Sequence, residues 1–423
     1  VHSGGAWWRD MLAIAEGRPN IFLDVAAWQG ALRRDPVECF RRVRETLDIV
    51  GPDRVLWASD TYDRALGDIF ALQNEVASRV VAGLRLKLGR EGEQQLAKRY
   101  TDKVEAYQAY MKGRFFWNKR NQDGLGKAIT YFQQAIEIDP NYALAYAGLA
   151  DSYILKRIFA LLQPGETLQQ MEAKAKAAAE RALEIDGTLA EPHASLGMIK
   201  TNTGNDEAGI EREYRRAIEL NPNYATAHHW YALHLNAMGR FDEAIAEIRR
   251  AQEIDPRSLV INSDVGIVFS CARRYDQAIE HFNKVIEMDP SYPDAHSKLG
   301  WAYVHKRMYQ EGIAEFQKAR KLFGSPTSQL DGLIYAYGQS GNRSEALRVL
   351  NQLTKLTKQH HMEIPWEHWT FIHIGLGNHD KAFEVLEKAH QEHLSVRPLL
   401  DTPFLDPLRS DPRFADLVRR VSD

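Results

Sequence analysis

The chain has 423 residues, enough for two or three ordinary domains or for one short domain followed by a long repeat array. Hydrophobic residues make up 44%, charged residues 26% and the formal net charge is -3, which argues against a disordered chain and against a nucleic-acid-sized basic surface. No apolar run approaches the roughly 18 residues that cross a bilayer, no secretion signal opens the chain, and Cys39 and Cys271 lack a metal-ligand spacing. A soluble, cytoplasmic protein without disulfides follows, and because the first residue is Val1 an upstream coding start is expected.

Residues 1–60 alternate between strand and helix patterns. Val1–Trp7 opens a helical pattern, Asn20–Val25 reads as a buried strand, Arg34–Ile49 as a helix and Arg54–Asp60 as a second strand, an order that suggests parallel β/α units. The segment resembles the C-terminal part of the amidohydrolase-related metal-dependent hydrolases and decarboxylases, which are (β/α)8 barrels. In that resemblance His2 matches the histidine of a His-x-Gly-Gly strand end and Asp60 the aspartate of a Gly-Ser-Asp strand end, with Ala58 in place of the glycine. A barrel takes about 250 residues and its metal needs ligands from several strand ends. The two matched side chains are therefore expected to be a remnant without catalysis, and no metal or cofactor is expected.

Residues 61–103 read as a linker. Ile69, Leu72, Val76, Val80, Leu84 and Leu88 recur at helical spacing and form one amphipathic helix, read either as docking on the neighbouring array or as a packed linker.

From residue 104 a repeat is visible. Ala128, Phe132, Ala135 and Pro140 return as Ala244, Ile248, Ala251 and Pro256, then as Ala278, Phe282, Val285 and Pro290. Pro222, Pro256, Pro290 and Gly324 stand at constant 34-residue steps. A first helix precedes each string, with a small residue such as Gly197, Gly266 or Gly300 at a fixed offset, because two helices approach to about 8 Å only where one offers almost no side chain. Gly239 and Gly341 supply left-handed turns after first helices, and Asp-Pro or Asn-Pro ends the second ones. Extra residues between Gly113 and Lys127 and around Phe159–Thr167 are expected to sit in turns.

This pattern resembles the tetratricopeptide repeat family over residues 104–395, in roughly seven or eight units. The resemblance implies a mainly α protein, a right-handed α-solenoid behind the small α/β fragment, whose core is buried only by stacking neighbours. Pro403–Phe414 then leads into a short helix near Val421, so residues 396–423 read as a cap on the final repeat. The runs Thr61–Gln73 and Tyr110–Arg114 and the Asp406–Phe414 ending resemble a bacterial group that places such arrays behind adenylate-cyclase domains or winged-helix regulators. Neither of those domains has a counterpart here. The two resemblances meet at Leu56–Arg64, which suggests a fusion near Asp60.

The resemblance further implies a protein or peptide partner, with no nucleic acid and no membrane, held on the inner surface lined by the first helices. Offsets place His229, Leu233, Asn236, Ser263, Ile267, Asp294, Ser297, Trp301, Asp331 and Tyr335 there. Trp301 and Tyr335 read as anchors for an apolar side chain, the alternative being that Trp301 packs against its neighbour helix. The histidines His360, His361, His368, His373, His379, His390 and His393 read as a solvated polar face rather than a metal site.

Overall fold

The computed structural model describes residues 23–24, 55–56 and 100–422, apart from 160, 162–165, 204–205, 361, 393 and 395. His2, Asp60, Cys39 and the helix expected over residues 69–88 lie outside the described residues. β1 (Leu23–Asp24) and β2 (Val55–Leu56) pair in parallel, Leu23 opposite Val55 and Asp24 opposite Leu56. Both fall inside the segments read as strands, and parallel pairing is the kind that requires a crossover connection between them.

The chain divides into two compact units, Val1–Gly187 and Thr188–Asp423. The first holds the helix pairs α1 (Val104–Asn118) with α2 (Gln122–Ile138) and α3 (Ala143–Ile158) with α4 (Leu168–Ile185). The second holds α5 (Glu191–Thr203) with α6 (Glu207–Leu220), α7 (Ala225–Ala237) with α8 (Phe241–Ile254), and α9 (Leu259–Cys271) with α10 (Tyr275–Met288). It continues with α11 (Pro293–His305) and α12 (Tyr309–Phe323), α13 (Leu330–Gln339) and α14 (Arg343–His360), and α15 (Trp366–Gly375) and α16 (His379–Gln391). Eight pairs thus stand among the described residues, followed by α17 (Arg397–Leu400), a 3-10 helix (Pro403–Leu408) and α18 (Pro412–Ser422).

The residue chemistry explains where each helix stops. Gly239, Arg273, Arg307 and Gly341, at 34-residue steps, all have positive φ, and the next N–H bonds back five residues, as Arg240 to Leu235 O at 2.9 Å and Arg274 to Phe269 O at 2.8 Å. This Schellman closure satisfies carbonyls that the helix end would leave bare. At the other end of the pair, Asp139, Asn221 and Asp289 each accept the N–H two residues on, the Asx-turn that makes Asp or Asn useful before proline. The insertion after Phe159 lies between α3 and α4, as expected for a turn. The earlier one does not: α1 and α2 are themselves lengthened and only residues 119–121 separate them, because Phe116 and Trp117 are buried and hold the extra turn in place.

One contact recurs through the core. An aromatic ring of the second helix lies where a glycine of the first has no side chain. A Cβ built on Gly266 would come 2.4 Å from Phe282, one on Gly300 2.7 Å from Phe316, one on Gly197 2.9 Å from Tyr214 and one on Gly113 2.6 Å from Phe132. One repeat before Gly266 and Phe282 stand Ala232 and Ile248, a methyl more on one helix and a ring less on the other, both fully buried. A polar contact, not foreseen in the sequence, recurs beside it. His228 Nε2 faces the Pro222 carbonyl at 3.1 Å and Nδ1 faces Glu247 at 2.6 Å. His296 does the same with Pro290 (3.1 Å) and Glu315 (2.7 Å), and Asn262, midway between them, donates to the Pro256 carbonyl at 3.0 Å.

Gly266→Ala gains about 1 kcal/mol of helix propensity but forces an overpacked core that costs about 1–3 kcal/mol, so its midpoint of unfolding followed by circular dichroism should fall. The control is Gly126→Ala on α2, whose added methyl meets nothing within 4 Å and should stabilise. Phe282→Ala, at a position 1% exposed, should lose about 3–5 kcal/mol in the same measurement.

Candidate functional site

In the second unit the first helices pack against one another in order, α5 on α7, α7 on α9, α9 on α11, α11 on α13 and α13 on α15. They form a continuous wall, and the residues at the offsets singled out in the sequence lie on it. A polar ladder crosses it. His229 Nε2 on α7 lies 2.7 Å from Asp264 Oδ2 on α9. Lys298 Nζ on α11 donates to Asp264 Oδ1 and to Ser263 Oγ, both at 3.1 Å, and pairs with Asp294 at 2.6 Å. Farther along, Ser297 donates to Gln329 at 2.7 Å and Asp331 on α13 holds His368 on α15 at 2.6 Å.

These contacts set the charges. Burial alone would push the Asp264 carboxyl up, but Lys298 and His229 hold it well below the usual carboxylate range. Burial opposes the charge on Lys298, yet Asp264 and Asp294 raise its pKa above the ordinary lysine value. The hydrogen bond that His368 donates to the Asp331 carboxylate raises it above the ordinary histidine value.

The far end of the wall is occupied by the chain itself. After α16, residues 397–409 run back across the first helices as a strap. Phe404 stacks on Phe371 of α15 (ring centroids 4.4 Å) and meets Trp301 (4.7 Å) and His305 (4.8 Å) of α11 edge-on. Behind Trp301 stands Tyr335 at 5.4 Å. Asp406 takes two hydrogen bonds from Arg273, Nε to Oδ2 at 3.1 Å and Nη2 to Oδ1 at 2.5 Å, just beyond the end of α9. Asp401 lies against Gly239 at the end of α7. Leu400, Leu405 and Leu408 are buried in the same core cluster as Leu333, Ile372 and Phe383. Burial pushes His305, between these rings, down to about 4. Beyond the strap, α18 covers α16 as a cap, with Arg420 paired to Glu387 and Arg413 to Asp380 and over the Phe383 ring.

Of the residues singled out in the sequence, His229, Ser263, Asp294, Ser297 and Asp331 are members of the ladder. Leu233, Asn236 and Ile267 are half-buried on the same helices. Trp301 and Tyr335 are drawn together in the aromatic cluster whose guest is Phe404. The sequence reading missed Asp264, Lys298 and Gln329 and took His368 for part of a solvated polar face, where it is instead held by Asp331; their partners stand 32 to 37 residues away, and one repeat length was the signal that could have found them. Among the described residues no group of three or more His, Cys, Asp or Glu is placed to hold a metal ion, and no helix is long and apolar enough to cross a membrane.

Stacked helix pairs with such a wall define the helical-repeat class of proteins, whose folds support protein-interaction scaffolds. Family models identify the repeats as tetratricopeptide repeats, over residues 109–142, 211–258 and 274–306, and a model of the amidohydrolase family matches residues 1–68. An adenylate cyclase-like protein of Rhizobium meliloti is 33% identical over 143 residues, which are 34% of this chain and 24% of that protein. The transcriptional regulator HilA of Salmonella typhimurium is 24% identical over 180 residues, 42% of this chain and 30% of the regulator. The chain thus spans under a third of the length of these relatives. Among solved structures, a human IFIT1 dimer with m7Gppp-AAAA is 16% identical with a TM-score of 0.50, covering 91% of this chain and 95% of that one, a likeness of fold alone.

Lys298→Met should leave Asp264 buried without its main partner and cost about 3–5 kcal/mol in denaturant unfolding. The stability that Asp264 contributes is present above the unfolded carboxyl value of about 3.9 and lost as pH falls through its lower folded value. That of Lys298 is present below about 10.4 and lost as pH rises through its higher folded value. An NMR titration should place His368 above about 6.5, and Asp331→Asn should bring it down.

Proposed function

We propose that the chain is a protein-interaction scaffold that holds a peptide or protein on the wall of first helices in its second unit, with Leu233, Asn236, Asp294, Ser297, Trp301 and Asp331 as the partner-facing set and the buried His229 and Tyr335 supporting it from behind. The observation that carries this reading is the strap itself. A chain segment is already held on this wall by an aromatic cluster and a bidentate ion pair, the side-chain combination that concentrates binding energy at protein interfaces. Around it, residues such as Leu233 and Ile267 are half-exposed. The division that goes with this reading is residues 1–60 as an amidohydrolase-like fragment, 61–103 as a linker, 104–395 as the array and 396–423 as the closing segment. Because the relatives carry their similar segments within much longer proteins, the array reads as the docking half of a signalling assembly rather than as a catalyst.

The amidohydrolase match over residues 1–68 supports a second reading, in which the N-terminal segment descends from a metal-dependent hydrolase. That reading predicts zinc in the purified protein and turnover lost in Asp60→Asn; metal analysis without bound zinc removes it.

For the scaffold, a photo-crosslinking amino acid placed at Leu233 or Ile267 is expected to capture a protein in cell extract, and the same group at the exposed Lys284 of α10 is not. Equal capture at both faces would reject the inner wall as the binding surface.

A further inference from the structure

The strap has the properties of a bound peptide. Among the described residues, the main-chain hydrogen bonds of residues 397–411 stay between Val396 and Phe414, as Thr402 N–H to Leu399 O and Arg409 N–H to Asp406 O, and none joins the strap to a repeat helix. Its attachment is therefore made by side chains. Phe404 fills the space between Trp301, His305 and Phe371, and Asp406, two residues on, meets the guanidinium of Arg273. Pro403 and Pro407 fix two φ angles and hold the short 3-10 turn that sets the spacing between aromatic and acid. The receiving side supplies the cation. Arg273 has φ 59, at the left-handed turn position that Gly239, Arg307 and Gly341 hold in sister repeats, and carries its side chain just beyond the end of α9. That side chain is the one that grips Asp406.

We propose that the face formed by Arg273, Trp301, His305 and Phe371 is a receptor for a peptide segment presenting an aromatic side chain and, two residues later, a carboxylate, and that residues 397–409 are its resident occupant. This rests on the scaffold reading and adds the chemistry of the partner. Leu405 and Leu408 of the strap itself are buried against the core of the repeats, so the segment that replaces it carries aliphatic residues beside the aromatic and the acid. The partner gains access by exchanging with the strap, whose ion pair is partly open to solvent.

The test uses the full chain and a fluorescent synthetic peptide with the sequence of residues 399–411, followed by anisotropy. The double variant Phe404→Ala, Asp406→Ala, with its own occupant disabled, is expected to bind the peptide at least about tenfold tighter than the wild type. Adding Arg273→Ala, or replacing the peptide's phenylalanine by alanine, should abolish the gain. A double variant that stays helical and melts cooperatively but binds no peptide overturns the proposal, as does a wild type that binds equally well. If the double variant does not fold, Asp406→Asn takes its place, and an affinity no higher than that of the wild type again overturns it. Crosslinks at Leu233 or Ile267 that persist while the peptide fails sink the receptor and leave the scaffold, whereas loss of those crosslinks with the peptide still bound sinks the wider scaffold reading.

Discussion

The architecture depends on one steric exchange, an aromatic ring on the second helix set against a bare backbone on the first. At Gly266 and Phe282, or Gly300 and Phe316, the ring occupies the volume where any other residue would place a methyl group. Both members are buried at every occurrence, so each pair closes like a molded joint, with close helix approach and dispersion contacts obtained together. No pair encloses its remaining apolar face by itself. Phe316 shows this directly, because it is crowded by Gly300 of its own pair and by Gly332 of the next. The contact that shapes a repeat therefore also stacks the following one.

The repeat fold was legible because this exchange is written at constant spacing. Gly, the aromatic residue and the closing proline are punctuation a single sequence can show, and the compensating Ala232 and Ile248 preserve the period even where the letters change. The polar part was harder to read. Asp264 and Lys298 look like ordinary surface charges along their own helices, and only the next helix, a repeat length away, turns them into a buried pair. The strap was the least legible. Residues 396–423 read as a terminal cap, and α18 packs on α16. Nothing local announces that Phe404 turns back to Trp301 or that Asp406 meets a residue 133 positions earlier. A long-range contact with no periodic signature is invisible to a reading built on periods.

The two kinds of inner-wall contact differ in what they cost and supply. The ladder of His229, Asp264 and Lys298 removes charges from water, so its favourable geometry mostly offsets desolvation and its main effect is to fix how one first helix sits on the next. The aromatic cluster has no such debt, since Phe404, Trp301 and Phe371 bury apolar area directly. Register thus comes from the polar rungs and adhesion from the rings. The N-terminal strands, paired Leu23 to Val55, belong to a different logic, in which parallel strands depend on an intervening crossover instead of on a neighbour of the same kind.

The strap also changes the arithmetic of cooperativity. A solenoid held only by adjacent contacts can fray from either end one module at a time, because each loss costs a single interface. Here one segment touches the ends of α7 and α9, then α11 and α15, and so links modules that are not neighbours. Those modules share a common fate while it is in place, and hydrogen exchange across them would follow one opening event instead of a gradient. Lifting the strap would do more than bare a surface: it would shorten the length over which the array behaves as one body, so that vacancy and softness arrive together.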